Sequence, residues 1–266
     1  QKIAEATSDT VVLNRDDPRI FKISEHIQAK KVFFGTTSEL LQLMPTDDTL
    51  KYGTATANQS VAADVLLKKI NSQQATFQID NKEIDVDLQL TGVYNLLNAA
   101  AAVALARQIA GPEITDTILS ALENIKPAFG RGETIYLNGT PIELILVKNP
   151  SGFRLALLSF AKNNSTTMIA VNDNYADGRD VSWFWDVDFS LLKNVAIISG
   201  ARAYDMALRL QYDDISIGKI DTNISKALED FINANPDEPK QIFCSYTAMT
   251  AIRRLLSEKT DVEEIS

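Results

Sequence analysis

Three loops concentrate residues able to do chemistry, and each follows an apolar run. The densest is Asn172-Asp173-Asn174-Tyr175-Ala176-Asp177-Gly178-Arg179-Asp180-Val181-Ser182-Trp183, continued by Phe184-Trp185-Asp186-Val187-Asp188. Carboxylates at 173, 177, 180, 186 and 188 lie around a single arginine, Arg179, and such a group repels itself unless it orients a partner, a metal or a histidine. Both tryptophans of the chain are here, which suits either a docking surface or a well-packed loop. The second loop, Lys148-Asn149-Pro150-Ser151-Gly152, leads into a helix. Its backbone N–H groups could hold an anion beside Lys148, or it is an ordinary capped helix start with a solvated lysine. In the third, Ser199-Gly200-Ala201-Arg202-Ala203-Tyr204-Asp205-Met206, Arg202 and Arg209 fall about two turns apart on one helix. They could bind phosphate or carboxylate, or pair with Asp205 and Asp213. A fourth candidate is Phe129-Gly130-Arg131-Gly132-Glu133, an arginine held between glycines.

Composition narrows the choice. Of 266 residues, 45% are hydrophobic and 23% charged, enough for a real core and against global disorder. A net charge of −9 repels phosphate backbones and argues against general nucleic-acid binding. The one cysteine, Cys244, and the one histidine, His26, cannot make a disulfide, a cysteine zinc cluster or a multi-histidine metal site. Cys244, in Gln-Ile-Phe-Cys-Ser-Tyr, reads as a buried strand end, and His26 as a surface residue of a polar helical stretch. No apolar run approaches the length that spans a bilayer; the nearest, Ala99 to Ala106, ends at Arg107. Neither Gly-x-x-x-x-Gly-Lys-Ser/Thr nor Gly-x-Gly-x-x-Gly occurs. The chain opens with Gln1 and passes almost at once into a strand pattern, as a fragment of a longer protein would.

The elements that must position these loops follow from periodicity. Asp9 to Leu13 reads as a strand and Asn14-Arg15-Asp16-Asp17-Pro18 as a turn that opens a helix. Lys31 to Phe34 is a second strand, and the polar, Thr-rich stretch Thr36 to Ser60 is left irregular. Ala75 to Ile79 and Ile84 to Leu90 alternate as a half-buried hairpin, with Ile84, Val86, Leu88 and Leu90 on one face. A long helix runs from Val93 to Ile109, where Gly111-Pro112 stops it, and a second from Glu113 to Asn124. Pro127 marks a domain boundary, giving units 1–127 and 128–266. Beyond it, strands Thr134 to Leu137, Ile142 to Val147, Thr166 to Val171, Val195 to Ser199 and Gln241 to Cys244 alternate with helices Gly152 to Ala161, Ala201 to Leu210, Asn223 to Ala234 and Thr247 to Ser257. That alternation predicts a mostly parallel sheet covered on both faces, with ligands at the carboxyl ends of its strands.

These pieces, in this order, resemble the Mur ligase superfamily, and within it the MurT-type subunits of lipid II isoglutaminyl synthases. Asn14-Arg15-Asp16-Asp17-Pro18 is similar to a segment late in the family's central domain. Gly92-Val93-Tyr94-Asn95-Leu96-Leu97-Asn98-Ala99 is similar to its Gly-x-x-Asn-x-x-Asn-Ala helix start. Phe129-Gly130-Arg131-Gly132-Glu133 resembles the entry to the carboxy-terminal domain, where the arginine faces the nucleotide. The stretches at Lys148-Asn149-Pro150, Asp177 to Trp183, Ser199 to Arg202 and Tyr246-Thr247-Ala248-Met249 resemble the subunit's own signature. The implied fold is α/β: a partial Mur ligase central domain, then a Rossmann-like carboxy-terminal domain.

The resemblance also implies an activity: ATP-dependent amidation of the D-glutamate α-carboxylate of the lipid II stem peptide to D-isoglutamine, at the inner, cytoplasmic face of the membrane. ATP would lie between central and carboxy-terminal domains, with Asn95, Asn98, Arg131, Lys148 and Asn149 as nucleotide-binding residues and Arg179 and Arg202 as substrate-binding ones. The partner would be a glutaminase subunit, a class I glutamine amidotransferase of the GatD type, whose Cys/His pair an aspartate of this subunit completes as third triad member. Asp177 and Asp180 are the catalytic candidates. The family's phosphate-binding loop and Mg2+ residues correspond to positions before Gln1, so this stretch alone is expected to be inactive. The four-cysteine zinc ribbon of many relatives has no counterpart in Thr36 to Ser60. The alternatives are a Mur-type amino-acid ligase working without a glutaminase, or a non-catalytic module on which the glutaminase docks. With one cysteine and one histidine, zinc chelation is expected to leave folding and melting temperature unchanged, and stoichiometric side-chain-bound zinc in the purified chain would contradict this.

Overall fold

The computed structural model describes residues 2–44, 61–71, 74–90, 92–126, 130–161 and 164–262. Thr91, Pro127, Phe129 and the 45–60 part of the Thr-rich stretch lie outside the described residues. The chain divides into two compact units, Gln1–Lys126 and Pro127–Ser266.

In the first unit, helix α1 (Lys2–Ala6) precedes strand β1 (Thr10–Asn14), helix α2 (Pro18–Ser24), strand β2 (Lys30–Thr36) and the short helix α3 (Ser38–Leu41). Strands β3 (Val65–Asn71), β4 (Gln74–Ile79) and β5 (Lys82–Asp87) follow, then helices α4 (Val93–Ala110) and α5 (Thr115–Leu122). The sheet runs β1-β2-β3-β4-β5, parallel through β3 and antiparallel beyond it. Asp17 starts α2 by accepting from the N–H groups of Arg19 and Ile20, with Pro18 in the first turn. In the expected hairpin, Val86 and Leu88 are fully buried beside Phe77. The alanine run of α4 permits the close packing of this helix on β2 and β3, which buries Ala99, Ala100 and Val103. Where Asn14-Arg15-Asp16 leaves β1, Arg15 pairs with Asp16 at 3.1 Å and donates to the carbonyls of Thr36 and Val61. Burial raises the Asp16 pKa, against the lowering effects of the Thr36 N–H and Arg15.

The second unit contains strands β6 (Arg131–Leu137) and β7 (Thr140–Leu146), helix α6 (Pro150–Phe160), strand β8 (Thr166–Ala170), strand β9 (Asn194–Ser199), helix α7 (Ala203–Gln211), strand β10 (Ser216–Asp221), helix α8 (Ile224–Asn233), strand β11 (Lys240–Cys244) and helix α9 (Tyr246–Ser257). Its sheet is ordered β10-β9-β8-β11-β7-β6, all parallel except the edge strand β6. Strand β11 is buried along its whole length, and β7 and β8 carry Leu144, Ile145, Met168, Ile169 and Ala170 with no exposure, as parallel strands covered on both faces require. Cys244 is buried as read, and desolvation holds its thiol far above the ordinary range. His26 is exposed in the turn after α2.

Two strands escape the periodicity reading. The pattern of β3 is interrupted by a register shift between Leu67 and Lys69. Edge strand β10 has no fully buried residue, so its sequence lacks the apolar run that marks the central strands. The β8-to-β9 connection is also unusual, because it carries only a 3₁₀ turn, Ser182–Asp186, where the other crossovers have α-helices. Phe184 and Phe189 hold it to the core, Phe189 lying edge-on to Phe153 at 5.0 Å. Arg209 does the rest: its guanidinium donates to the carbonyls of Phe184 (3.2 Å) and Val187 (2.6 Å) and to Asp213 (2.6 Å). Of the two readings of Arg202 and Arg209, the pairing one therefore holds for Arg209, which is buried in the frame. Replacing Arg209 by Ala leaves two carbonyls and a carboxylate without their donor, an expected loss of about 3 kcal/mol, measurable by urea denaturation followed through Trp183 and Trp185.

Candidate functional site

The carboxyl ends of four strands lie level, because Cys244 pairs with both Leu146 and Ala170, and Ala170 with Ser199. The residues that follow are stitched into one edge. Val147 N–H donates to Cys244 O (2.9 Å), Ser245 N–H to Ala170 O (3.0 Å) and Val171 N–H to Ser199 O (2.9 Å). Gly200 (φ +93°) makes the approach possible, since a Cβ there would overlap the carbonyl oxygen of Val171. Asn172 joins three loops: its N–H donates to Ser245 Oγ, its Nδ2 to Thr247 Oγ1, and its Oδ1 accepts from Ala201 N–H, all near 3 Å.

Here the two candidate aspartates part company. Asp177 is buried, 7% exposed, and its Oδ1 accepts from the backbone N–H of Thr247 (2.7 Å) while Oδ2 accepts from the Thr247 hydroxyl (2.6 Å) and from Asn174 N–H (3.1 Å). Thr247 lies in the first turn of α9, whose N-cap residue Ser245 makes no side-chain cap of its own. Asp177 supplies that cap from 70 positions away, with its charge at the favourable end of the helix dipole. Asp180, three residues on, is exposed. Its Oδ1 accepts from Ser182 N–H at 2.8 Å, and the Ser182 hydroxyl and N–H hold its carboxyl below the usual range.

The carboxylates do not converge on Arg179, contrary to the impression their spacing gives. Four of the five find separate donors: Asp173 the Arg202 guanidinium (2.7 Å), Asp177 Thr247, Asp180 Ser182, and Asp188 the Ser190 N–H (2.9 Å). Arg179 itself is exposed. Arg202 is half-buried between Asp173 and Asp205, and the hydrogen bond to Asp173 raises its pKa. Nothing in the local pattern around Thr247 marks it as the partner of Asp177; the only signal is that polar Asn, Ser and Thr residues directly follow two apolar strands.

At the β7 end, Lys148 is exposed, while Asn149 caps α6 by accepting from Gly152 N–H at 2.7 Å. Arg131, exposed at the start of β6, is paired in register with Ile145 of β7. Antiparallel pairing thus brings Arg131 and Lys148 to the same end of neighbouring strands, and two exposed cations there fit the charge of a polyphosphate. Asn95 and Asn98 belong to the first unit and share α4 but not an environment, Asn95 being buried and Asn98 exposed. Among the described residues no group of three or more His, Cys, Asp or Glu side chains is placed to hold a metal.

Fold and edge define an α/β protein with a Rossmann-like second unit. The model of the Mur ligase middle domain matches residues 2–106, and that of the MurT ligase C-terminal domain residues 146–249, which contains every loop of the strand edge. The chain belongs to the Mur ligase superfamily. It is 31% identical over 206 residues, 74% of its length, to the lipid II isoglutaminyl synthase (glutamine-hydrolyzing) subunit MurT of Streptococcus pneumoniae, covering 45% of that protein. It is 31% identical over 137 residues to the MurT subunit of Staphylococcus aureus, covering 49% of this chain and 31% of that protein. The chain thus spans less than half the length of these curated relatives. Among solved structures, a pseudomurein peptide ligase type C from Methanothermus fervidus superposes with a TM-score of 0.68 at 16% identity, over 94% of this chain and 56% of that one. MurF ligase from Thermotoga maritima, in complex with ADP, gives 0.66 at 16%, over 96% and 54%.

The two aspartates are expected to separate in a melting experiment. Asp177→Ala removes a helix cap and should cost about 1–2 kcal/mol, whereas Asp180→Ala should leave the melting temperature unchanged. Equal destabilisation by both would contradict the assignment of the cap to Asp177 alone.

Proposed function

We propose that this chain is part of the Mur ligase-like subunit of a lipid II isoglutaminyl synthase, an ATP-dependent carbon–nitrogen ligase that amidates the D-glutamate α-carboxylate of the stem peptide with ammonia from a glutaminase subunit. The observation that carries this reading is the exposed Asp180, presented on a loop whose neighbour Asp177 is fixed to α9. A carboxylate already held below its usual pKa stays ionised at neutral pH. It is suited to accept from the Nδ1–H of an imidazole on another chain and to stabilise the imidazolium that forms when that imidazole takes the proton of a cysteine nucleophile. Asp177 positions the loop and does not itself meet the partner. The MurT-type match over 146–249 supports the same reading.

ATP, when bound, would supply the phosphoryl group that activates the substrate carboxylate, so that ammonia could form the amide C–N bond while phosphate leaves with the carboxylate oxygen. The part of the second unit in that chemistry is binding: Arg131 and Lys148 address phosphate charge, and Asn149 fixes the helix start behind Lys148 by its cap to Gly152. Arg179, exposed beside Asp180, is free to meet substrate, whereas Arg202 is engaged by Asp173 and Asp205 and serves to hold the edge together. The synthase would work on lipid II at the cytoplasmic face of the membrane; no helix among the described residues is long and apolar enough to cross one.

The test uses the full-length protein with its glutaminase. Asp180→Asn should keep the complex assembled while glutamine hydrolysis falls roughly a hundred- to ten-thousandfold, because the amide keeps the shape but cannot stabilise an imidazolium. Amidation driven by added ammonia should persist. Near-normal glutamine hydrolysis by Asp180→Asn would refute the triad role.

A further inference from the structure

Arg131 is set by an arrangement that the reading above leaves unused. On an even strand, residues 131 and 133 would point to the same face. The pairing shifts instead: Arg131 lies opposite Ile145 and Glu133 opposite Leu144, so Gly132 is an extra residue and β6 begins with a bulge. Arg131 is consequently exposed while Glu133 turns inward, where its carboxylate forms an ion pair with Arg253 of α9. Both side chains are largely buried, 14% and 4% exposed.

The other carboxylate oxygen of Glu133 accepts from Gly130 N–H at 3.2 Å, and Gly130 O accepts from Leu146 N–H. Gly130 has φ +63°, and a Cβ there would overlap Met249 Sδ. Met249 and Arg253 are four residues apart on α9 and present one face, so that helix clamps residues 130 and 133 on either side of Arg131. A buried ion pair is a poor source of net stability. What it supplies here is a fixed backbone direction at the residue it brackets.

We propose that Glu133 and Arg253 are positioning residues that set Arg131 for a nucleotide phosphate, acting through the Gly132 bulge. This rests on Arg131 being a nucleotide-facing residue. The experiment is a double-mutant cycle on the full-length protein, read by calorimetric titration with ADP and therefore independent of turnover. Arg131→Ala and Glu133→Gln should each weaken ADP binding by about tenfold, the size of one charge-assisted contact. The double variant should bind no more weakly than Arg131→Ala alone, because Glu133 acts only through Arg131. Arg253→Lys, which keeps the charge, should retain most of the affinity.

Two results would overturn the positioning role while leaving Arg131 as a nucleotide residue: wild-type affinity in Glu133→Gln, or full additivity of the two losses. If Arg131→Ala binds ADP like the wild type, the nucleotide reading of Arg131 itself falls and the inference falls with it. Should Glu133→Gln be unfolded at the assay temperature, the same cycle run with Arg253→Gln, which removes the charge from the other side of the pair, decides, additivity again being the contradicting outcome.

Discussion

The carboxylate of Asp177 accepts from both the N–H and the hydroxyl of Thr247, and the geometry of the strand edge depends on that pair. A loop that leaves β8 is tied by it to a helix that follows β11, 70 residues further along the chain. Thr247 Oγ1 is also the acceptor for Asn172 and Asn174. With its own proton given to Asp177, the hydroxyl is fully used. Such a network in a partly buried setting is stiff, and stiffness is what the role proposed for Asp180 requires. The exposed Asp180 inherits its direction from the buried Asp177.

The sheet supplies the place for this interaction. In a doubly wound sheet the carboxyl ends of strands collect ligand-binding loops where the strand order reverses. Here β11 inserts between β7 and β8, which brings the loop after β11 beside the loops after both neighbours. Apolar burial on both faces fixes the register, since Ile242, Phe243 and Cys244 have no exposure. A one-residue slip of β11 would exchange its two buried faces and move Thr247 away from Asp177. Core packing and site geometry are therefore one constraint seen from two ends of the same strand. Helix α9 extends it: its first turn receives Asp177, and its Met249 and Arg253 hold the bulge at Gly132.

Much of this is legible in the residues. The runs Ile142 to Val147 and Gln241 to Cys244 name the central strands, Gly111-Pro112 ends α4, and the loops rich in Asp, Asn and Arg are where the strand edge lies. What is not legible is of two kinds. Edge strand β10 buries too little to leave a period-two signature, and β3 loses its own to a register shift. Long-range polar pairing leaves no local trace at all. Asp177 and Asp180 look equivalent in sequence and differ only because one meets a helix start and the other does not. Arg209 looks like a companion of Arg202 until the carbonyls of Phe184 and Val187 are seen around it, and nothing in Phe129-Gly130-Arg131-Gly132-Glu133 marks the register shift at Gly132 that turns Glu133 inward.

The central claim is that Asp180 acts on an imidazole of a partner chain, and the protonation of that imidazole reports on it most directly. The measurement is the pKa of the glutaminase catalytic histidine, followed by NMR in the assembled complex with the wild-type protein and with Asp180→Asn. A carboxylate at hydrogen-bond distance stabilises the imidazolium, so the account predicts that the pKa falls by about 1 to 3 units in the variant. An unchanged histidine pKa in an intact complex would contradict it.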